Sequence, residues 1–460
     1  MADDLGSHDA HAVALPDGVT QGPETVRAFR RVLVNTLVSN VTTSFLWFAL
    51  TFWAYLETRS VLATSIVGGS FMLLIAVLGP LFGTYVDHHR KRDVMVISSV
   101  LTLVSYLGAA AVYVLAPEGR LTSFSSPWFW AFVGLVLAGS VVEGMRNIAL
   151  STTVTLLVPL AERDRANGLV GTVTGIGFMI TSVFSGLAIG FLGMGWTLAI
   201  SVGLTTVAVG HLFWVRIPEK RPAREGPMLP YDIAGAVRVI RSVPGLFGLV
   251  LFATMNNFIG GVFMALMDPY GLTLFSVQAW GIVLGVTSVG FILGGIWVAR
   301  FGLGSKPLRS LLLANLVLAG VGMVFTVREA WWLYVAGIML YMCLIPIAEA
   351  AEQTVLQRVV PYASQGRVFG FAASLEAAAA PVTAFMIGPI AQNVLIPYMN
   401  SDSGRAQWAW LLGQGEARGI ALVFVLAGVV QTLFVVAAFG SRPYRTLSRS
   451  YEAAAEPAPV

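Results

Sequence analysis

The chain has 460 residues, of which 56% are hydrophobic and only 11% are charged, and its formal net charge is +4. Soluble domains carry about 25% charged residues. This composition therefore excludes an ordinary soluble protein and predicts one that is embedded in a membrane. The single cysteine, Cys343, permits no internal disulfide.

Twelve apolar stretches are long enough to cross a hydrocarbon core of roughly 30 Å, which takes about 20 helical residues. The stretches are continuous rather than alternating, and an open sheet edge cannot be satisfied in lipid, so we predict helices. The predicted spans, numbered 1 to 12 in chain order, cover residues 32–56, 61–86, 94–116, 128–158, 166–192, 195–215, 245–267, 278–299, 310–327, 331–355, 368–396 and 419–439.

The positive charges fall mainly on one side of these spans. If both termini are inside the cell, 22 of the 28 Lys and Arg residues are cytoplasmic, 5 are outside and Arg146 lies within span 4. Lys and Arg in short loops stay cytoplasmic. We therefore predict a multi-pass protein of the inner (plasma) membrane with both termini in the cytoplasm. This juxtamembrane excess explains the net charge, so no nucleic-acid partner is expected. The polar stretch before span 1 lacks a signal-peptide pattern, and span 1 is expected to be retained.

A polar segment, RIPEKRPAREGPMLPYDIAGAVRVIRSVPG, divides the spans six and six. Within it, Ile233, Val237 and Ile240 recur at helical spacing beside Arg238 and Arg241, which predicts an amphipathic helix on the inner membrane face. An ordinary linker helix is the alternative. The predicted organisation is an N-terminal tail (1–31), a six-helix bundle (32–215), a cytoplasmic linker (216–244), a second six-helix bundle (245–440) and a C-terminal tail (441–460).

One sequence pattern occurs twice, as VPLAERDRANG at residues 158–168 and as VPYASQGRVFG at residues 360–370. The shift is 202 residues, so Arg165 aligns with Arg367. Each copy forms the turn between the fourth and fifth spans of its half. A repeat of this period indicates two copies of one structural unit, and we expect pseudo-symmetric halves.

The loop between spans 2 and 3 reads GTYVDHHRKRD, from Gly83 to Asp93. It resembles the signature loop of the major facilitator superfamily, which has a Gly, three residues, an Asp and a basic cluster. The departures are His88 and Arg90, which stand where the family usually has a basic residue and a Gly. The second copy, GIWVARFGLGSKPLR from Gly295, has Ala299 in place of the acid.

This resemblance implies an all-α membrane protein with twelve transmembrane helices in two six-helix bundles. It also implies that Asp87 meets the start of span 11, where a carboxylate can accept hydrogen bonds from free helix amides. The two repeated turns then form a cytoplasmic latch between the halves. An alternative is that these charges only anchor loops at lipid headgroups. The predicted latch residues are Gly83, Asp87, Lys91, Arg92, Arg165, Arg367 and Glu376.

Ionisable groups within spans are costly in hydrocarbon unless they face a cavity or a partner. Span 4 carries Glu143 and Arg146 one turn apart, and span 10 carries Glu349 and Glu352. Glu143 is a candidate proton carrier, with a permanent salt bridge to Arg146 as the alternative. Glu349 and Glu352 are further candidates, and simple solvation is their alternative.

Polar side chains of spans 1, 4, 7 and 10 are candidates to orient a substrate, although Asn and Thr also join neighbouring helices. These residues are Asn40, Thr43, Asn147, Asn256, Asn257 and Gln353.

The turns and the amphipathic segment resemble the branch of the superfamily that contains macrolide-efflux proteins and the enterobactin exporter. The resemblance implies a monomeric, proton-coupled exporter of lipophilic drugs or siderophores, with no cofactor. An uptake protein or facilitator on the same fold is the alternative. A membrane enzyme is a remote one, because His88 and Asp93 match a His-x4-Asp spacing in which the His acts as a general base.

Overall fold

The computed structural model describes residues 20–58, 61–123, 125–219, 231–413, 415 and 417–453. Parts of both predicted tails and residues 220–230 of the predicted linker lie outside these ranges. Within them, twelve helices are long and apolar enough to cross a membrane. The six helices of the first half are α1 (Pro23–Thr58), α2 (Val61–His88), α3 (Lys91–Leu115), α4 (Pro127–Leu157), α5 (Arg163–Phe191) and α6 (Gly193–Trp214).

A short helix, α7 (Ile233–Ser242), precedes the second half. The six long segments of that half contain α8 (Leu246–Leu274), α9 (Val277–Phe301), α10 (Pro307–Val324), α11 (Trp331–Val359), α12 (Gln365–Ile390) and α15 (Arg418–Gly440). Between α12 and α15 lie a π-helical stretch (Ala391–Leu395), α13 (Ile396–Asn400) and α14 (Asp402–Leu412), and α16 (Arg442–Ala453) follows α15. The residues that the structure describes are nearly all helical, as predicted.

The helices are longer than the predicted spans at several ends, because a helix does not stop where the hydrocarbon stops. The first one begins at Pro23 rather than at residue 32, and its added turns expose Glu24 and Arg27. A larger difference is α16, which was predicted only as a tail. Its Leu447 and Tyr451, spaced by four residues, are buried, while arginines cover the opposite face.

Both repeated turns contain the same local structure. Pro159 and Pro361 each precede a single 3-10 turn, at Leu160–Glu162 and at Tyr362–Ser364, and each turn leads directly into the next long helix. We call the side of the molecule that carries these turns, the α2–α3 loop and α16 the linker side.

The apolar core shows that the halves meet mainly on the linker side. The largest cluster there joins residues of both halves, such as Leu150 and Leu356. Toward the opposite side, one cluster contains only residues of the first half and another only residues of the second half.

Glycines allow close contact between the two halves at two helix pairs. A Cβ added to Gly83 of α2 would collide with the carbonyl oxygen of Gly366 at the start of α12. On the other flank, a Cβ added to Gly168 of α5 would collide with the backbone nitrogen of Ala299 in α9. Small residues let helix backbones approach in this way, and the two close pairs lie at pseudo-symmetric positions.

Candidate functional site

Asp87, at the linker-side end of α2, binds the start of α12 in the other half. Its Oδ1 accepts a hydrogen bond from the backbone N–H of Gly366 at 2.6 Å. Its Oδ2 accepts one from the backbone N–H of Arg367 at 3.0 Å and another from Arg367 Nε at 2.9 Å. The first N–H groups of a helix have no partner within the helix and carry the positive end of its dipole. This buried carboxylate therefore joins α2 of the first half to α12 of the second half.

The linker adds a second acid to this cluster. Arg367 Nη1 donates to Asp232 Oδ2 at 2.6 Å. The other oxygen of Asp232 accepts a hydrogen bond from the backbone N–H of Gly235 at 2.8 Å, which caps the start of α7. Arg367 thus bridges α2, α12 and the linker.

Lys91 is buried beside the same cluster. Its Nζ lies 3.5 Å from Glu219 Oε1 and donates to the carbonyl of Val86 at 2.9 Å. The hydroxyl of Tyr362, in the turn before α12, also donates to Glu219 Oε1 at 2.9 Å. Arg92 instead donates to the carbonyl of Phe213 at 3.0 Å, within its own half. Lys91 therefore contributes to the contact between halves, whereas Arg92 ties α3 to α6.

At the pseudo-symmetric contact between α5 and α9, the carboxylate lies on α5 and not on α9, the helix that corresponds to α2. Ala299 occupies the position that corresponds to Asp87, so α9 supplies no acid. Asp164, at the start of α5, accepts a hydrogen bond from the backbone N–H of Leu303 at 2.9 Å through its Oδ2. Its Oδ1 accepts from the backbone N–H of Arg165 at 2.7 Å. An acid is present at both flanks, but on α2 in one and on α5 in the other.

The prediction for Arg165 needs a correction. Its side chain is exposed, because the acid that the aligned Arg367 binds has no counterpart at Ala299. The buried cation of this turn is Arg163, which is 3% exposed. Arg163 Nη1 donates to the carbonyl of Gln357 in the second half at 3.0 Å, and its Nη2 donates to the carbonyl of Thr155 at 3.0 Å.

Two side-chain amides close the linker side between α5 and α11. Asn167 Nδ2 donates to Gln357 Oε1 at 3.0 Å, and Gln357 Nε2 donates back to Asn167 Oδ1 at 3.2 Å. Asn167 also donates to Thr354 Oγ1 at 2.9 Å, and Gln357 donates to the carbonyl of Ser151 at 3.1 Å. We call Asn167 and Gln357 the amide lock. All four hydrogen bonds cross from one half to the other.

Glu143 and Arg146 form a buried pair inside the first half. Arg146 Nε lies 3.2 Å from Glu143 Oε1. The guanidinium also donates to Ser99 Oγ at 3.0 Å and to Asn35 Oδ1 at 2.6 Å. Arg146 therefore ties α4 to α1 and α3, and its position beside Glu143 favours the permanent salt bridge among the two hypotheses for Glu143.

Glu349, Glu352 and Glu376 line one cavity of about 390 Å³ in the second half, between α8, α10, α11 and α12. We call it the acid cavity. Its walls are otherwise largely apolar and include Phe263, Met264, Met267, Tyr341 and Met342. Among the described residues that line it, none is Lys, Arg or His.

Glu376 was predicted to belong to the latch, and the structure places it in the acid cavity instead. It follows Arg367 by nine residues, which is about 14 Å along a helix axis. Glu352 and Glu376 line this cavity from α11 and α12, so their carboxyls share one space.

The structure brings only some of the predicted substrate residues together. Asn256 and Asn257 line the acid cavity. Gln353 lines a smaller cavity of about 70 Å³ between α4, α5 and α11, and Glu349 borders both cavities. Asn147 is exposed on the face of α4 that also carries Ser151 of this smaller cavity.

The two α1 residues of that set lie elsewhere. Asn40 packs against Gly177 of α5, and Thr43 is buried beside Tyr106. Neither is among the residues that line the acid cavity or the smaller cavity.

Comparison with known families matches residues 32–384 to the family model of the Major Facilitator Superfamily. The chain belongs to this superfamily. It is therefore a multi-pass membrane protein of a transporter family, and the twelve helices and two halves are those of the superfamily fold.

Relatives within the superfamily are distant. Macrolide efflux protein A of Streptococcus pyogenes is 21% identical over 365 residues, which cover 77% of this chain and 87% of that protein. The enterobactin exporter EntS of Escherichia coli is 21% identical over 363 residues, which cover 75% of this chain and 81% of that protein. A bacterial homologue of the iron transporter ferroportin, solved in an outward-facing state, is 14% identical and superposes with a TM-score of 0.67 over 90% of this chain and 100% of its own.

Several residues that join the two halves of this superfamily member were not predicted from the sequence. They are Arg163, Asp164, Asn167, Glu219, Asp232 and Gln357. The repeated pattern contains Arg163, Asp164 and Asn167. Only Arg165 of this turn aligns with an arginine of the other copy, Arg367, so the prediction named Arg165, whose side chain is exposed. Nothing local marks Gln357 in the sequence, since the partners of its side chain are 190 to 206 residues away.

Proposed function

We propose that this chain is a proton-coupled exporter of lipophilic small molecules, placed in the inner membrane with both termini cytoplasmic. The observation that carries the proposal is the acid cavity, in which three carboxyls face largely apolar walls. Carboxyls within membrane spans are costly and therefore rare. Those that are present commonly mark proton and substrate pathways.

The walls support a lipophilic substrate. Phe252, Phe263 and Tyr341 offer flat apolar surfaces, and Met264 and Met342 adapt to ligands of different shape. Within the predicted class of drugs or siderophores, a cavity that combines three acids with no described base suits neutral or cationic molecules better than anionic ones.

Export is supported by the relatives, one named as a macrolide efflux protein and one as an enterobactin exporter. In an alternating-access cycle, a proton that enters from outside and a substrate that enters from inside would occupy the acid cavity in turn. Release of the substrate would then follow protonation of Glu352 or Glu376.

The geometry around the α2–α3 loop gives little support to the alternative that the protein is an enzyme. His88 Nδ1 contacts the carbonyl of Thr84 in its own helix at 2.8 Å. His88 ends α2 and Asp93 lies in the first turn of α3, and the family of the chain is one of transporters. Proton-coupled uptake on the same fold would show as proton movement in the opposite direction. Facilitated diffusion would show as no proton movement.

The test uses purified protein in liposomes with an imposed pH gradient, an internal fluorescent proton reporter, and a panel of lipophilic cations, macrolides and siderophores. We expect compound-dependent proton movement that falls at least about tenfold in Glu352→Gln, because the amide cannot carry the proton. Glu118→Gln, in an exposed loop, is the matched control and should behave as the wild type. Equal proton movement in Glu352→Gln and the control would remove Glu352 as the carrier, and silence across the panel would refute the export proposal.

A further inference from the structure

An apolar crevice of about 240 Å³ lies on the linker side of the second half, between α8, α10, α15 and the start of α16. We call it the α8–α15 crevice. Its walls include Leu249 and Phe252 of α8, Leu312 of α10 and Phe434 of α15, and Pro443 and Leu447 of α16 cover it. None of the roles described so far uses this crevice.

The crevice opens at the outer surface of the bundle. Among its lining residues, Leu251 of α8 is 45% exposed and Ala437 of α15 is also exposed. Leu251 lies five residues after the start of α8, and Ala437 lies three residues before the end of α15. At a rise of 1.5 Å per residue, the opening is within about 8 Å of the linker-side ends of these helices, at the level of the adjacent lipid leaflet.

The crevice and the acid cavity share two wall residues. Phe252 and Leu311 line both of them, so the side chains of one Phe and one Leu separate the two spaces. The Phe252 ring stacks on the Phe434 ring at a centroid distance of 5.5 Å and an interplanar angle of 10°. Phe434 therefore packs against Phe252 on the crevice side of this wall.

We propose that the α8–α15 crevice is a binding site for the lipophilic substrate on its way from the linker-side leaflet to the acid cavity, with Phe252 and Leu311 as its inner gate. The inference rests on the proposed export function and adds the entry route. The shared wall favours the substrate as the occupant over a resident lipid chain, because a site for lipid alone has no need to share a wall with the acid cavity.

The first test measures occupancy without transport. In a Cys343→Ser background reconstituted in lipid nanodiscs, Ala437→Cys is labelled with N-ethylmaleimide in the presence of increasing rhodamine 6G, a lipophilic cation. We expect rhodamine 6G to slow labelling at least about fivefold. The neighbouring Val436→Cys, 56% exposed but not part of the crevice, should label at an unchanged rate. Equal rates at Ala437→Cys with and without rhodamine 6G would overturn the site.

The second test measures the route. Ala437→Trp narrows the crevice and should raise the KM for rhodamine 6G-dependent proton movement about tenfold with little change in kcat, whereas Val436→Trp should match the wild type. A fall in kcat at unchanged KM in Ala437→Trp would point to a resident lipid and contradict the route. Protection of Ala437→Cys without any proton movement would support the site and refute export. Proton movement without protection would support export and refute the site.

Discussion

At the scale of single residues, Glu143 and Glu352 are both acids within spans, yet their surroundings give them different roles. Glu143 is 4% exposed and lies against Arg146, whose guanidinium also binds α1 and α3. Glu352 faces a cavity whose described lining holds two more acids and no base. A carboxylate that lies beside a buried guanidinium is poorly suited to exchange protons with a cavity.

We therefore expect Glu143→Gln to act on stability rather than on coupling. Removing one partner of a buried pair leaves an uncompensated charge and costs about 3–5 kcal/mol. Thermal melting in detergent should show a marked loss for Glu143→Gln, while the fraction that remains folded keeps its compound-dependent proton movement.

The double variant Glu143→Gln with Arg146→Gln provides the control. It removes both charges, so its loss of stability should be smaller than the sum of the two single losses by more than about 1 kcal/mol. A Glu143→Gln protein that melts as the wild type and no longer moves protons would instead make Glu143 the carrier.

At the scale of helices, the two flanks of the molecule show how a repeat is retained while its residues change. At each flank, a glycine lets the two backbones approach, and one carboxylate accepts at least one hydrogen bond from a backbone N–H of the other half. Asp87 of α2 binds the start of α12, and Asp164 of α5 binds the segment after α9. Because Asp164 of α5 supplies the acid at the second flank, the absence of an acid at Ala299 of α9 does not remove the contact between these helices.

Asp87→Asn tests this contact. An Asn side chain offers one oxygen, and its NH2 group would face the donors of Gly366 or Arg367, so at least one hydrogen bond to a charged group, about 1.5–3 kcal/mol, is lost. Turnover should fall at least about tenfold while the Kd for substrate changes less than about twofold, as measured by proton movement and by equilibrium binding.

Asp93→Asn, a substitution in the same sequence motif, is the control and should keep normal turnover. A normal turnover in Asp87→Asn as well would show that this carboxylate does not limit the conformational cycle.

The helices were predictable because hydrophobic runs of membrane length and charge asymmetry are local properties of the sequence. The contact of Asp87 with the start of α12 was predictable only through the family resemblance. The amide lock was not, because Asn167 and Gln357 are ordinary polar residues until the fold places them together. Likewise, α16 has only a weak apolar stripe, Leu447 and Tyr451, in a segment that reads as a charged tail.

At the scale of the whole molecule, the structure is a state closed on the linker side. One apolar core joins both halves there, whereas separate cores occupy the opposite side. The linker reinforces closure through Glu219 and Asp232, which bind Tyr362 and Arg367. A cycle of alternating access requires these contacts to break together, so their free energies set the balance between the two states.

The amide lock allows that balance to be measured with a pair of variants. Gln357→Leu leaves Asn167 Oδ1 and the carbonyl of Ser151 without their donors in the closed state, whereas water can reach them when the linker side opens. A buried group without its partner costs about 1–3 kcal/mol, which corresponds to a shift of about 5- to 150-fold toward the open state. Replacing both amides with Leu removes the unpaired Asn167 and should restore part of the closure.

The reporter is Thr174→Cys in the Cys343→Ser background, because Thr174 is exposed in the smaller cavity just beyond the lock. A membrane-impermeant maleimide added only from the linker side should label it slowly in the parent and at least about fivefold faster with Gln357→Leu. The double change Asn167→Leu with Gln357→Leu should give an intermediate rate, and the exposed Arg165→Ala should leave the rate unchanged. Labelling of the Gln357→Leu protein at the parental rate would show that closure of the linker side depends on the flanking carboxylates and the shared apolar core, and not on the amide lock.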